Sequence, residues 1–270
     1  MAITIIFAEP RKGKTAFSTY LAVNKMFDYE RNKLMQSEIL QKKTNGFNLT
    51  VPKHCVFSNY DIIGRKFGYS KRYAYRFNPF KFGYANEFVK TDLAVPYGFY
   101  VIDEAQTYFN SRLSLYYPDW QSRAFEQHGH NHLDFLFTVQ RTDLIDINIR
   151  ELANFIEIEN MDIEYDAFSK PDKVTWSIRE IDNYFMLEKY LASGKTDKKT
   201  FSVKKIVAPG YILDCYDCRS CKPKFYDGHF NEDFTLNECE PPEESIQGYI
   251  SYLEKFNDEL PKGFYRKRSI

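Results

Sequence analysis

A short run near the amino terminus, FAEPRKGKTAF (residues 7–17), places a glycine, a lysine and a hydroxyl side chain in succession. In a GxxxxGK[ST] loop, backbone N–H groups surround the phosphates, the lysine reaches the β- and γ-phosphates, and the hydroxyl binds Mg²⁺. The predicted phosphate-binding residues are Arg11, Lys12, Gly13, Lys14 and Thr15. Ala8 replaces the usual first glycine, a small steric change, whereas a side chain at Gly13 is expected to crowd the nucleotide. A GKT triplet also arises by chance, so the loop alone does not establish a nucleotide-binding site.

A second motif, FYVIDE (residues 99–104), carries four apolar residues that end in two carboxylates. An aspartate that a strand delivers beside such a loop holds Mg²⁺, and the next glutamate polarises the attacking water. Asp103 and Thr15 are therefore predicted to bind Mg²⁺, and Glu104 to act as the base. The alternative is a core strand that ends at a solvated acid pair. Because both motifs follow predicted strands in the right chain order, the sequence favours a site for ATP and Mg²⁺.

A third polar residue, Gln140, ends the apolar run at residues 135–139. A polar side chain at the tip of a strand beside the acidic pair senses the γ-phosphate or positions the water. The alternative is an amide that only caps a loop.

The elements that must position these residues follow from apolar periodicity. Residues 3–8, 56–60, 99–102 and 135–139 read as buried strands, and one long helix is predicted from Lys14 to about Lys43, stopped by Asn45-Gly46. Buried strands separated by helical segments indicate an α/β fold, a P-loop NTPase with a mainly parallel sheet between helices. Two further strands, at 155–165 and 174–178, are predicted to form a hairpin.

Composition excludes several classes of protein. The chain has 270 residues, 43% of them hydrophobic, and a formal net charge of +0, which argues against global disorder and against a uniformly basic nucleic-acid binder. No apolar stretch reaches the roughly 18–20 residues of a membrane-spanning helix, and no basic segment precedes the first apolar run. We therefore expect a cytoplasmic protein, which can sit peripherally at the inner face of the membrane, with reduced cysteines.

Five segments in chain order resemble one family. AEPRKGKT, FSNYD, YVIDEAQTYFNSR, HGHNHLDFLFTVQ and DINIRELA, within residues 1–160, resemble the zonular occludens toxin-like (Zot-like) P-loop ATPases, which include the assembly ATPases of filamentous phages and belong to the FtsK/HerA division. Ala8 and His132 stand where the family usually has glycine. The predicted division is an ATPase domain at residues 1–210 and a Cys- and acid-rich appendage at 211–270.

The resemblance implies a ring-forming ATPase that couples hydrolysis to phage DNA extrusion and virion assembly. Its expected partners are copies of itself, phage DNA, most simply single-stranded, and phage assembly proteins, some of them in the membrane. In such rings an arginine of the neighbouring subunit completes the site. Arg150 is the first choice, followed by Arg112 and Arg123, although each also suits a surface ion pair. The rival functions are a DNA-packaging ATPase of a tailless phage and a nucleotide-gated interaction module without turnover.

Two clusters of side chains are of the types that bind metals. His128, His130 and His132 alternate, and on a strand they would share a face, yet a structural role is favoured because Asp134 is the one acidic ligand nearby. A Zn²⁺ site or plain reduced thiols are both open for the cysteines near the carboxyl terminus, Cys215, Cys218, Cys221 and Cys239.

Charge is unevenly distributed along the chain. Residues 64–88 interleave six basic side chains with nine aromatic ones, which suits single-stranded DNA but also suits a buried aromatic cluster with solvated charges. Residues 231–259 hold nine acids against Lys255. Such asymmetry indicates an electrostatic surface for a partner.

Overall fold

A computed structural model of the protein describes most of the chain. The described residues are 2–44, 51–65, 71–77, 79, 82–83, 92–93, 95–112, 119–130, 132–195, 201–217, 225–230 and 236–239. The helices are α1 (Lys14–Met26), α2 (Tyr29–Thr44), α3 (Asp119–Glu126), α4 (Ile147–Glu151) and α5 (Tyr184–Ala192), and short 3₁₀ turns occupy Ala105–Thr107, Thr142–Leu144 and Gly210–Asp214.

Fifteen strands accompany these helices within the described ranges. Those of the amino-terminal half are β1 (Ile3–Phe7), β2 (Val56–Ser58), β3 (Asp61–Gly64), β4 (Arg72–Tyr73), β5 (Tyr75–Arg76), β6 (Phe82–Gly83), β7 (Asp92–Leu93) and β8 (Phe99–Ile102). The others are β9 (Asp134–Val139), β10 (Ala153–Tyr165), β11 (Pro171–Ile181), β12 (Lys204–Pro209), β13 (Tyr216–Asp217), β14 (Phe225–Phe230) and β15 (Leu236–Cys239).

An eight-stranded sheet in the order β12-β11-β10-β1-β9-β8-β2-β5 forms the centre of the fold. The six strands from β10 to β5 are parallel, and β11 and β12 add antiparallel to β10. The central parallel strands β1, β8 and β9 are short and buried along nearly their whole length, as expected where helices cover the sheet. The predicted α/β P-loop fold with a mainly parallel sheet is thus confirmed.

Aromatic side chains fill the core across neighbouring strands. Tyr100 of β8 stacks between Phe57 of β2 and Phe135 of β9, at ring distances of 4.9 and 5.4 Å. Phe125 of α3 then packs edge-on against Phe135 and Phe137. Because Phe135 and Phe137 lie two residues apart on one strand, they face the same side of the sheet, and α3 covers that side.

The single long helix that the sequence predicted is wrong in one respect, because it is two helices. Phe27 and Asp28 separate α1 from α2, and the Asp28 carboxylate accepts the backbone N–H of Arg31, 3.2 Å away, as the first turn of α2 begins. The Asn32 side chain donates to the Met26 carbonyl at the end of α1. Side-chain hydrogen bonds therefore end one helix and begin the next without a glycine or proline between them. The stop predicted at Asn45-Gly46 lies outside the described residues.

The second predicted strand is shorter than expected, since β2 ends at Ser58. The Tyr60 N–H turns back to the Ser58 hydroxyl, and the Asn59 side chain leaves the sheet to bind the backbone of Asp103. The Asn59 N–H still bonds to the Val101 carbonyl of β8, and the polar side chains then turn the chain away from the sheet.

The predicted hairpin is confirmed and is longer than expected. β10 and β11 pair antiparallel from Phe155↔Ile181 to Tyr165↔Pro171, with irregular register near Ile158 and near Glu164. β1 pairs with β10 only as far as Glu157, so the rest of the hairpin extends beyond the edge of the sheet at which β1 ends. On its way, Trp176 of β11 packs on Phe17 and Tyr20 of α1.

Described residues of the proposed appendage pack on the main domain. Ile212 and Cys215 are buried, and β13 pairs antiparallel with β3. The division near residue 210 stays a prediction. Residues 218–224 and 240–270 lie outside the described residues, as does most of the acidic segment 231–259.

His54 is a fully buried imidazole beside β2. Its ring stacks on Tyr75 at 4.6 Å, its Nδ1 accepts the Val56 N–H, and its Nε2 lies 2.9 Å from the Tyr73 carbonyl. Nδ1 is therefore the unprotonated nitrogen, and Nε2 carries the hydrogen. Burial lowers the pKa of His54 to about 3.

This burial predicts an acid-sensitive fold. An unfolded histidine, with an ordinary pKa near 6.5, binds a proton between about pH 6.5 and 3 while the folded one does not, so stability that is complete above pH 6.5 falls across that window. From pH 7 to pH 5 we expect this group to cost about 2 kcal/mol of unfolding free energy. Urea unfolding at both pH values measures it. His54→Gln, which keeps a donor for the Tyr73 carbonyl, should flatten the dependence, and the exposed control His130→Gln should not. Equal slopes in all three proteins would refute the assignment.

Candidate nucleotide-binding site

The phosphate-binding loop joins β1 to α1 at one edge of the sheet. Ile5 and Phe7 are buried on β1, the Ala8 N–H bonds to the Val139 carbonyl at the end of β9, and α1 begins at Lys14. The predicted replacement of glycine by Ala8 is accommodated, since Ala8 is buried without a left-handed backbone. Arg11 does take a left-handed conformation (φ 66°) and is exposed at the tip of the loop.

The backbone conformation and the surroundings of Gly13 both favour glycine, apart from any contact with a nucleotide. Its backbone is left-handed (φ 81°), which disfavours any residue with a Cβ. A Cβ there would lie 2.3 Å from the sulfur of Met161, on the part of β10 that extends past the sheet edge. The hairpin thus packs directly on the loop, and the expectation that a side chain at Gly13 would crowd the nucleotide stays a prediction.

Lys14 is buried within this loop. Its ammonium donates to the carbonyls of Ala8 and Glu9, at 2.9 and 3.1 Å, so it bridges the start of the loop to the start of the helix. Burial lowers the pKa of Lys14, while the nearby carboxylates of Glu104 and Asp103 oppose that fall. The cation is thus already directed at the interior of the loop, where the carbonyl oxygens stand in for the phosphate oxygens that the motif binds.

The two predicted Mg²⁺ ligands come together. The Thr15 hydroxyl lies 3.2 and 3.1 Å from the two carboxylate oxygens of Asp103, although 88 residues separate them in the chain. The Thr138 hydroxyl of β9 donates to the same carboxylate and accepts the N–H of Glu104. Burial raises the pKa of Asp103, and the hydrogen bonds from Thr138 and Thr15 oppose that rise. A hydroxyl and a carboxylate in contact are hard oxygen ligands that suit Mg²⁺.

Asn59 fixes the backbone at the acidic pair. Its amide oxygen accepts the Asp103 N–H at 2.8 Å, and its nitrogen donates to the Asp103 carbonyl at 3.0 Å and towards the Tyr108 hydroxyl. Neither Asn59 nor Thr138 was predicted as a site residue. For Asn59 a signal existed, since it follows the end of a parallel strand, where side chains of neighbouring strands meet.

A buried tyrosine supports the first turn of α1. The Tyr60 hydroxyl lies 3.0 Å from the Ser18 hydroxyl and 3.1 Å from that of Thr19. Burial raises the pKa of Tyr60, so the ring stays a neutral hydrogen-bonding group. The polar face of α1 is thereby tied to the residues that follow β2.

Glu104 and Gln140 lie at the same sheet edge as the loop. Glu104 takes a left-handed backbone (φ 51°), and the Gln106 amide donates to its carboxylate. Gln140 follows β9, whose last residue Val139 aligns with Phe7, and its side chain is exposed. The structure therefore places both predicted groups beside the loop, with Glu104 held by a neighbour and Gln140 open to solvent.

The predicted trans-acting arginine lies at the opposite edge. Arg150 is on α4, directly before β10, whose first residue Ala153 aligns with Ile3, the first residue of β1. Its guanidinium lies 5.2 Å from the ring centre of Tyr184 and donates to that hydroxyl. Arg150 is thus remote from the loop of its own chain. The alternatives Arg112 and Arg123 are both exposed.

The histidines occupy a turn and not a strand. His128 Nδ1 bonds to the Phe125 carbonyl at the end of α3, and His130 is exposed. His132 has a left-handed backbone (φ 56°) and stacks on Tyr97 at 4.6 Å. Glycine is favoured in that conformation, which explains the usual glycine of Zot-like sequences at this position.

Among the residues that the structure describes, no group of three or more histidine, cysteine or acidic side chains is arranged to hold a metal. Cys215 is buried, and burial raises the pKa of its thiol to about 11. Cys218 and Cys221 and the side chain of Cys239 lie outside the described residues, so zinc binding there stays a prediction. Within the described ranges, no helix is both long and apolar enough to cross a membrane.

Comparison with known proteins agrees with the resemblance seen in the sequence. Residues 84–163 match the family model of zonular occludens toxin (Zot), a segment that includes the acidic pair, β9 and Arg150. The predicted resemblance to Zot-like P-loop ATPases is thereby confirmed. No curated protein sequence matches the chain.

Two solved structures align with the chain over most of its length. The N-terminal domain of zonular occludens toxin from Neisseria meningitidis aligns at 16% identity over 80% of this chain and 98% of that chain, with a TM-score of 0.43. The genome packaging NTPase B204 from Sulfolobus turreted icosahedral virus 2, in complex with ATP-gammaS, aligns at 12% identity over 77% and 92%, with a TM-score of 0.33.

The contact between Gly13 and the hairpin predicts non-additive stability changes. Gly13→Ala should destabilise the free protein by about 1–2 kcal/mol for the left-handed backbone, and by more because Met161 must move. In a Met161→Ala background the second part disappears, so the penalty should shrink towards the backbone value. Urea unfolding of the four proteins gives the coupling. Penalties that are equal in both backgrounds would show that Met161 does not press on the loop.

Proposed function

We propose that this chain is an ATP-hydrolysing motor that couples nucleotide turnover to phage DNA extrusion and virion assembly. The observation that carries the proposal is the meeting of Thr15 with Asp103, 3.1–3.2 Å apart, beside the buried ammonium of Lys14. The match of residues 84–163 to the zonular occludens toxin family supports the phage-related part of the proposal.

Each side chain at the loop has a role that follows from its position. The backbone N–H groups from Arg11 to Thr15 and the Lys14 ammonium bind the phosphates of ATP. Thr15 and Asp103 hold Mg²⁺, which when bound neutralises charge that develops on the phosphates. Thr138 and Asn59 position Asp103 and act through it.

Glu104 is the proposed general base. Its carboxylate orients and deprotonates water, and Gln106 holds that carboxylate until water takes its place. Gln140 is exposed at the end of the neighbouring strand β9, and its side chain positions the same water from there.

The proposed assembly is a ring of identical chains, and the separation of the two edges supports it. The loop lies where β1 ends, and Arg150 lies where β1 begins. Copies arranged head to tail bring the Arg150 edge of one chain to the loop of the next, a contact between unlike surfaces that closes into a ring. DNA, most simply single-stranded, and phage assembly proteins at the membrane are the proposed partners. ATPase rates with and without single- and double-stranded DNA test the coupling, and a rate that neither DNA changes argues against a DNA motor.

Substitutions at the loop and at the base should separate binding from turnover. Glu104→Gln keeps the shape and removes the base, so ATP should bind with near-parental affinity while hydrolysis falls by a factor of about 10²–10⁴. Lys14→Ala removes the loop cation and should abolish binding itself. Equilibrium binding of a fluorescent ATP analogue and steady-state phosphate release measure the two effects. Parental turnover in folded Glu104→Gln would exclude Glu104 as the base, and parental affinity in Lys14→Ala would remove the proposal.

Mixed assemblies test the arginine. Arg150→Ala should lower turnover by on the order of 10³ while leaving ATP binding nearly intact, and Arg141→Ala, an exposed arginine paired with Asp143, is the matched control that should change little. Mixing Arg150→Ala with Lys14→Ala chains restores interfaces that have an intact loop and an intact arginine, so activity should return. A mixture as inactive as its parts, with both variants assembled, would rule out Arg150 and direct the same experiment to Arg112 and Arg123.

A further inference from the structure

An apolar stripe of side chains runs from the phosphate-binding loop along one face of the β10–β11 hairpin. Its members, Met161, Ile163 and Tyr165, alternate along β10, so they share one face of the strand. Met161 and Ile163 stand directly opposite Trp176 and Val174 of β11. The stripe is therefore on the same face of the hairpin as Trp176, which packs on α1.

The apolar stripe becomes more exposed with distance from the sheet. Met161 and Ile163 are half-buried, and Tyr165 is 61% exposed. The stripe touches the loop at Met161, whose side chain leaves no room for a Cβ at Gly13. Because each residue of a strand advances about 3.3 Å, Ile163 and Tyr165 lie about 7 and 13 Å farther out than Met161. The stripe thus begins at the loop and ends in solvent.

Local bonds hold the hairpin in this extended form. At its tip, the Asp166 Oδ1 accepts the N–H groups of Phe168 and Lys170, both at 2.8 Å. Nearer to the sheet, the Lys173 ammonium pairs with the Glu164 carboxylate of the facing strand at 3.3 Å. The apolar stripe is therefore in place before a ligand arrives, which lowers the entropic cost of binding to it.

The magnesium side of the loop sets the direction of a bound nucleotide. Thr15 and Asp103 are the proposed ligands of Mg²⁺, which bridges the β- and γ-phosphates. They meet on the side of β1 where β9 and β8 lie, whereas β10 is the neighbour of β1 on the other side. A triphosphate that crosses the loop with its γ end near Asp103 therefore directs its nucleoside end towards the hairpin.

We propose that the apolar stripe binds the nucleoside part of the nucleotide, with the base stacked on the Tyr165 ring and the ribose against Ile163. This inference rests on the proposed nucleotide site and concerns the part of the ligand that the loop does not hold. An exposed aromatic ring on a rigid strand suits this role, because stacking on such a ring is favourable for every base.

The composition of the apolar stripe also defines the class of substrate. On its face, the described side chains of β10 and β11 beside the loop are apolar or aromatic, and the Tyr165 hydroxyl is their one polar group. The charged side chains of Asp162, Glu164 and Lys173 belong to the opposite face. A surface that does not bond to the edge of the base discriminates weakly between bases. We therefore expect ATP and GTP to bind with similar affinity, and pyrimidine nucleotides, whose smaller rings stack over less area, to bind more weakly.

Titrations without hydrolysis test the apolar stripe in the full chain. Inorganic tripolyphosphate has the phosphates of ATP without the nucleoside, so calorimetry with each ligand in the presence of Mg²⁺ separates the two parts. Tyr165→Ala should weaken ATP binding about tenfold, the magnitude of one base–aromatic stack, and leave tripolyphosphate binding unchanged. Tyr165→Phe keeps the ring and should bind ATP as the parent does. Phe168→Ala, which removes an exposed aromatic ring outside the stripe, is the matched control and should change neither ligand.

The possible results separate this inference from the ATPase proposal. Parental ATP affinity in folded Tyr165→Ala would overturn the apolar stripe and leave the loop as the phosphate site. Equal losses of ATP and tripolyphosphate affinity in that variant would also overturn it, because the substitution would then act through the loop. A parent protein that binds neither ligand would refute the nucleotide site itself, and the stripe with it.

Photolabelling locates the base independently. 8-Azido-ATP carries its reactive group on the base and should label residues 161–165, and excess ATP or GTP should suppress that labelling to a similar extent. Labelling confined to other parts of the chain would place the base away from the hairpin and overturn the proposal. A preference for ATP over GTP of more than about a hundredfold would show that a group reads the edge of the base, which contradicts binding by an apolar stripe.

Discussion

The Asp103 carboxylate is the group on which the geometry of the site depends. It stands at the end of β8, partly withdrawn from water, and a carboxylate in that position must be supplied with donors. Thr15 provides one from the first turn of α1, and Thr138 provides another from the neighbouring strand β9. Asn59, following β2 on the other side of β8, holds the backbone of the same residue. Three chain segments are thereby bonded to one residue, and a shift in register of any of them would remove one of its partners.

The parallel sheet separates the chemistry of the chain into two edges. The phosphate-binding residues, the acidic pair and Gln140 collect where the strands end, because every parallel strand delivers its last residue there. Arg150 lies on α4, the helix that directly precedes the start of β10. A single copy therefore presents the loop on one side and Arg150 on the other. This polarity is a property of strand direction and requires no special interface residue.

The sequence predicted the parts of the site that follow from residue type and strand order. The apolar runs before Ala8 and before Asp103 identified two strands, and parallel pairing then required their ends to meet. Thr138 could not be predicted in the same way, because it lies inside an apolar run and its role depends on which strand is its neighbour. Met161 was missed since its contact with Gly13 depends on how far β10 extends past its partner β1. The break between α1 and α2 was missed because no Gly or Pro stands between Lys14 and Asn45 to signal it, and the local bonds of Asp28 and Asn32 form there instead.

The folding unit of this protein includes the hairpin of β10 and β11, which extends beyond the recognisable motifs. All the recognisable motifs lie within residues 1–160, yet Met161 packs on the loop glycine and Trp176 packs on Phe17 and Tyr20 of the loop helix. A fragment cut where the family resemblance ends would keep every functional side chain at the loop and would expose the aromatic face of α1 to water. The hairpin, which carries none of these motifs, thus helps to hold the loop and α1 in their positions.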